Sequence, residues 1–358
     1  LNGLKCNLVV FVILFTALGF TSSVSSHHSF ATHYDSKNIV EVSGTLTEVT
    51  LRNPHSFLSI DVLDEDGSVI SWEVESHAVP LLNRLGMTKN ILRVGDPITI
   101  WGPRSRRPEL NLLFGAQYLT HSGQEFEILK SIRRPTAIKT IDNRGLSGLA
   151  RLSGKWLTHI KGQVVTDTPL DLNDAGKEAR LAFDPTNTSA MRCIPPNLPA
   201  LLFLPYTYEI TVEGKDVTLF QEYEKIKRSV QVDSMVPDDN MPDYGSRTAR
   251  FNDETLIIDS TGFTPNDAGL ASGWEPNGNG YDIPSSSLKK FKESYSVNDD
   301  GSQLILNYTL SDPEYLHEPY SSQIVWDRIP DETPINDVIC DVDIAERSTQ
   351  NAAKASKQ

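Results

Sequence analysis

The chain has 358 residues and a net charge of −14, with 47 acidic against 33 basic side chains. That balance repels nucleic acid and anionic lipid headgroups and argues against either as a partner. The length suits two domains, and the many glycines and prolines, scarce helical periodicity and frequent β-branched runs predict an all-β architecture.

Residues 1–26 read as a secretory signal peptide. Lys5 precedes an apolar run from Leu8 to Phe20, and small residues from Thr21 to Ser26 follow. The run is too short to span a bilayer comfortably, and no stop-transfer charge cluster follows it; an N-terminal membrane anchor is the alternative. The processed protein is therefore expected in the periplasm or outside the cell, with no membrane span. Of three cysteines only Cys6 lies in the signal, so Cys193 and Cys340 remain in a compartment where disulfides persist. A bridge between them would tie the start of the second domain to its end. The alternative is two separate buried thiols.

Residues 27–130 carry five predicted strands and one helix. The strands are Val40–Leu51, Ser56–Leu63, Val69–Glu75, Ile98–Gly102 and Leu112–Thr120. Asp64-Glu65-Asp66-Gly67 turns the second strand into the third. The helix, Val79–Leu85, stops at Gly86, a residue suited to the left-handed position after a helix. Three strands, a helix and two strands is the order of an OB-fold barrel. His27-His28-Ser29-Phe30, Gly44-Thr45-Leu46, Asn53-Pro54-His55, Trp72-Glu73 and Gly95-Asp96 together resemble a family of secreted bacterial proteins of unknown function. Ser26 stands where that family has Ala, and Val94 where it has Pro. The resemblance implies export and a small β domain, and it implies no activity.

Residues 131–147 read as a linker, 148–345 as a second domain and 346–358 as a disordered tail. Gly154-Lys155-Trp156 resembles the opening strand of lipocalin-like barrels, in which the Trp plugs the closed end. Eight further strands are predicted: Tyr206–Val212, Val217–Tyr223, Lys227–Val232, Ser246–Asn252, Thr255–Ser260, Leu288–Val297, Gln303–Leu310 and Ser322–Arg328. They suffice for an antiparallel meander or barrel. Cys193-Ile194-Pro195-Pro196, Phe251 to Leu256 and Ser311 to Tyr315 resemble the C-terminal parts of uncharacterised secreted β proteins. Those proteins place Gly-Asp where this chain has Asp253-Glu254, which leaves the turn type open. The segment Thr264 to Pro284 is long, and a loop of that length reads as a lid, a binding loop or disorder.

Two constellations carry chemistry. Cleavage near Ser26 would free an amine beside His27 and His28, and imidazole with amine suits copper, with His33 or His55 as a further ligand. A loose terminus that binds nothing is the alternative. The second constellation is an anion-binding face of Asn53, His55, Arg104, Arg106 and Arg107, in the two loops that flank the binding face of an OB fold. Against it stands the pairing of these arginines with surplus carboxylates. No nucleophile elbow, P-loop, dinucleotide fingerprint or Cys-x-x-Cys is present. The paired carboxylates Asp238-Asp239 and Asp299-Asp300 read as solvated turns. The expectation is an exported, non-catalytic ligand-binding protein of the bacterial cell envelope. A copper protein or metalloenzyme and a structural envelope component are the alternatives.

Overall fold

The computed structural model describes residues 33–128, 146–158, 169–184, 188–236, 242–267, 270 and 280–353. The signal segment, His27, His28 and residues 131–145 of the linker lie outside these. Two antiparallel-rich sheets each curl into a barrel.

The first barrel uses β1 (Tyr34–Thr50), β2 (Ser56–Leu63), β3 (Val69–Ser76), β4 (Pro97–Ser105) and β5 (Leu112–Phe114). β1 pairs with β4 along its first part and with β2 along its last. The changeover falls at Gly44, where a Cβ would stand 2.3 Å from the Asp61 carbonyl oxygen, so only glycine allows so close an approach. β3 and β5 are parallel, β5 pairs with β4, and β4 returns to β1. That closed ring is the OB order the sequence predicts. Helix α1 (Val79–Arg84) sits between β3 and β4 in sequence and buries Leu82 among Leu46, Leu58, Ile60, Val74 and Ile100.

The fifth strand is not continuous. It breaks after β5, and β6 (Gln117–Thr120) then pairs with the far half of β4, followed by β7 (Glu125–Glu127). Gly115 lies at the break, where a Cβ would collide with the Tyr118 hydroxyl. β4 also runs three residues past Gly102, which puts Arg104 on a strand rather than in a loop.

The second barrel contains β8 (Gly154–Thr158), β9 (Thr207–Glu213), β10 (Asp216–Gln221), β11 (Ile226–Gln231), β12 (Ser234–Val236), β13 (Ser246–Asn252), β14 (Thr255–Thr261), β15 (Lys290–Val297), β16 (Gln303–Ser311) and β17 (Tyr320–Ile329). β8 lies between β9 and β17, and the other strands follow their neighbours in the chain. Between β11 and β12 the chain passes from one edge of the sheet to the other. Val232 bridges Ala249, and Arg247 Nε donates to the Ser229 carbonyl at 2.8 Å, so the wall is nearly closed.

One end is sealed as Gly154-Lys155-Trp156 suggests. Trp156 is buried, its indole N–H donates to the Leu152 carbonyl, and the Arg328 guanidinium lies 3.9 Å over its ring. The same guanidinium donates to the carbonyls of Gly301, Ser153 and Arg151. The opposite end is covered by Leu198 and the short 3-10 helix Ala200–Phe203, all of them buried.

Among the described residues, two further helices of the second half break the all-β pattern. Helix α2 (Asp174–Ala182) starts where the Asn173 side chain accepts from the Gly176 N–H. Helix α3 (Val342–Ala353) starts where the Asp341 carboxylate accepts from the Asp343 and Ile344 N–H groups. Residues 346–353, expected to be a loose tail, form the last two-thirds of α3, which packs against the 3-10 helix Ser189–Arg192 and reaches Glu73 and Glu75 of the first barrel through Arg347, Ser348 and Asn351. Before α3 the chain returns from β17 along the second barrel, where Lys155 Nζ donates to the carbonyls of Asp331 and Thr333 and Val338 bridges Tyr223. The Cys193–Cys340 disulfide is present, with Cα atoms 5.5 Å apart and a sequence separation of 147. Closing a loop of that length stabilises by about 5 kcal/mol in the chain-entropy treatment. No helix among the described residues is long and apolar enough to cross a membrane.

Candidate functional site

Strand alternation points Arg228 of β11 and Glu293 of β15 into the second barrel, in rows otherwise made of Ile226, Val230, Phe291 and Tyr295. The guanidinium and carboxylate meet as a two-pronged pair at 2.9 and 2.8 Å. Tyr295 donates its hydroxyl to Glu293 at 2.6 Å, and the Tyr208 and Tyr295 hydroxyls are 3.0 Å apart. The Tyr208, Tyr295 and Trp326 rings stack within 5.4 to 6.5 Å of one another. Arg228, Glu293, Tyr208, Tyr295 and Trp326 are all buried. Burial disfavours charge on Arg228, but Glu293 more than offsets it and holds the guanidinium pKa well above its ordinary value. Burial and then Glu293 push the Tyr295 phenol up, so it stays a donor. Apolar residues of the same shape would hold such a core at least as well. What the pair adds is a fixed polar anchor in an otherwise apolar interior.

At the covered end, Lys289 is fully buried. Its ammonium donates to the Leu198 carbonyl at 2.9 Å, lies 3.3 Å from the Ser285 hydroxyl and sits 4.3 Å over the Phe263 ring. The same end holds Asp312, which accepts from the Ser286 N–H and hydroxyl.

A second polar cluster lies on the outer face of the first barrel. Glu75 is buried and accepts from the Tyr34 hydroxyl at 2.6 Å and the Ser348 hydroxyl at 3.0 Å. His55 Nδ1 stands 3.0 Å from the same carboxylate, at ion-pair distance but not aligned as a hydrogen bond. His33 and His77 are within electrostatic reach of both Glu75 and His55. Burial lowers the pKa of His33, and burial with His55 lowers that of His77 to about 3, so His77 is held neutral at ordinary pH. His77 Nε2 is buried without a hydrogen-bond partner among the described residues.

The residues proposed from sequence divide as follows. Asn53 splices three segments: its side chain accepts from the Val79 N–H and donates to the Asp337 carbonyl, and its own carbonyl accepts from the Asp341 N–H. Arg104 lies 5.3 Å from the Trp72 ring and donates to the Pro108 carbonyl. Arg106 faces Asp35 at 3.8 Å, and Arg107 pairs with Glu109 at 2.9 Å. The Arg106 N–H also donates to the His33 carbonyl, so the arginine loop adjoins the histidine cluster through its backbone. His33 and His55 come together, whereas His27 and His28 lie outside the described residues. No group of three or more His, Cys, Asp or Glu among the described residues is arranged to hold a metal ion. Sequence reasoning missed Arg228, Glu293, Glu75 and His77. The signal was there for the first two, as one charge at an inward position of each of two alternating strands.

The molecule is thus a two-barrel β protein, an OB-like unit followed by a lipocalin-like one. The sequence profile of a family of unknown function, DUF6152, matches residues 17–111, which include most of the OB-like unit. No curated protein matches the chain. Among solved structures, apo lipid binding protein 8 (LBP-8) of Caenorhabditis elegans is similar at 9% identity and a TM-score of 0.27, over 52% of this chain and 100% of that one.

Proposed function

We propose that the protein is an exported, non-catalytic binding protein of the bacterial cell envelope that holds a small molecule in the second barrel. The observation that carries this reading is the Arg228, Glu293, Tyr295 and Tyr208 set inside a nearly closed wall sealed by Trp156. The ligand has an apolar body and an anionic group that competes with Glu293 for Arg228. Entry requires the Leu198 to Phe203 segment to move aside. The probe is anilinonaphthalene sulfonate, which has that make-up. It binds wild type at one site per chain, and a paired Arg228→Met, Glu293→Met variant binds it about tenfold more weakly or worse at unchanged fold. Both charges are removed together because one left alone would be buried and uncompensated. Equal binding by the paired variant overturns the site.

A second reading has one observation in its favour, the gathering of His33, His55 and His77 about Glu75. In it the processed N-terminus binds Cu(II) through its free amine and His27 or His28, with His33 or His55 completing the set. Copper titration of the processed protein, compared with a form extended by one residue before the native start, tests it. Equal binding by the two forms removes the amine as a ligand.

A further inference from the structure

The outer surface of β2 and β3, with the loop between β1 and β2, is the face an OB fold uses for ligands. Here that face is covered by α3. Arg347 pairs with Glu73 and lies 4.4 Å over the Phe57 ring. Ser348 donates to Glu75 at 3.0 Å, and Asn351 donates to Glu73 at 3.3 Å. Ahead of the helix, Arg52 of the loop pairs with Asp341 at 2.7 Å, and Asn53 accepts from the Asp341 N–H. Phe57, Glu73 and Glu75 alternate with the inward Leu58 and Val74, so they belong to one outer row.

Little of this contact is apolar. Ile344 is the only large aliphatic side chain of α3 that is buried. Asn351 lies four residues after Arg347 and three after Ser348, so it shares a helix face with each of them. A twelve-residue helix is marginal alone in water, so α3 forms as it docks. We infer that this face is a helix-recognition site, that it reads an arginine, a serine and an asparagine against two carboxylates and a phenyl ring, and that the chain's own C-terminal helix is its resident ligand. The Cys193–Cys340 bridge and the Val338 contact hold that ligand at high effective concentration, so its intrinsic affinity can be modest.

The test uses the full chain with a protease site inserted between Glu332 and Thr333, in an exposed loop. The folded protein is cut, the disulfide is reduced with dithiothreitol, and native mass spectrometry follows the C-terminal fragment. It stays associated at micromolar protein and is displaced by excess isotope-labelled peptide of residues 336–353 carrying C340S. The same peptide with R347A competes about tenfold less well or worse. Loss of the fragment without rebinding, or equal competition by the two peptides, overturns the inference. If near-ultraviolet circular dichroism shows that reduction unfolds the cut protein, hydrogen exchange of the uncut, oxidised chain decides. In Arg347→Ala the amides of α3 then exchange about tenfold faster or more while the barrel amides are unchanged. Unchanged exchange in α3 overturns the inference equally.

Discussion

Lys289 shows how a single side chain ties stability to pH. Burial lowers its pKa to about 7, against partial compensation by Asp312 and Asp243. The unfolded chain holds this proton up to about pH 10, so between pH 7 and 9 the unfolded state binds more protons than the folded one. Stability from this group therefore rises with pH in that window and is lost as pH falls toward 7. Relative to Lys289→Met, wild type gains about 2 kcal/mol between pH 7 and pH 9, read from urea melts at each pH. The difference in slope is diagnostic, because losing the contacts to Leu198 and Ser285 shifts the level at every pH. At this scale the sequence was a partial guide. Histidines announce themselves by type, and His33 and His55 do come together. Arg104, Arg106 and Arg107 looked like one cluster because they are close in sequence, but strand geometry sends each to a different partner. The buried Arg228 and Glu293 are 65 residues apart, and only the closure of the wall brings them into contact.

Among the elements, the hairpin joining β13 to β14 settles a question left open by its sequence. Asp253 and Glu254 both have positive φ, 47° and 60°, which makes a two-residue turn of the mirror-image type I class. Glycine bears that conformation at the second position without the Cβ strain of glutamate. Glu254 gives up little else, since its contact with Arg151 is 3.9 Å long and exposed. Glu254→Gly is expected to stabilise the protein by about 0.5–1 kcal/mol and raise Tm by about 2 °C, measured by differential scanning calorimetry. Strands were readable because inward and outward residues alternate cleanly, as in β11 and β16. The helices α2 and α3 were not, since their buried faces are narrow and largely polar. Gly176 is the one buried residue of α2, and α3 depends on partners more than 270 positions away.

For the whole molecule, the two barrels meet across a buried charge pair. Arg84 of α1 donates to Glu222 at 2.7 Å and to the Pro205 carbonyl, and Glu222 also accepts from the Thr207 and Asn336 N–H groups. Glu222 has no solvent exposure. Arg84→Met is expected to cost about 3–5 kcal/mol, because it leaves the carboxylate buried with no counter-charge. Adding Glu222→Gln restores part of that loss, since a neutral amide keeps an acceptor for the same N–H groups. A double-mutant cycle by chemical denaturation gives the coupling, and additive losses would show the pair to be unimportant. The division into two β units was legible from strand count and order. Their junction was not, because it is built from single residues of α1, the β10–β11 turn and the returning C-terminal segment.

The bridge between Cys193 and Cys340 has a mechanical consequence. Strands β9 to β17 all lie inside the covalent loop it closes. Tension applied to the two ends of the chain passes through the first barrel and β8, crosses the sulfur–sulfur bond, and leaves through α3. Most of the second barrel bears none of that load. About 500 Å of contour, at roughly 3.4 Å for each residue of the 147-residue separation, stays coiled while the OB-like unit is drawn out.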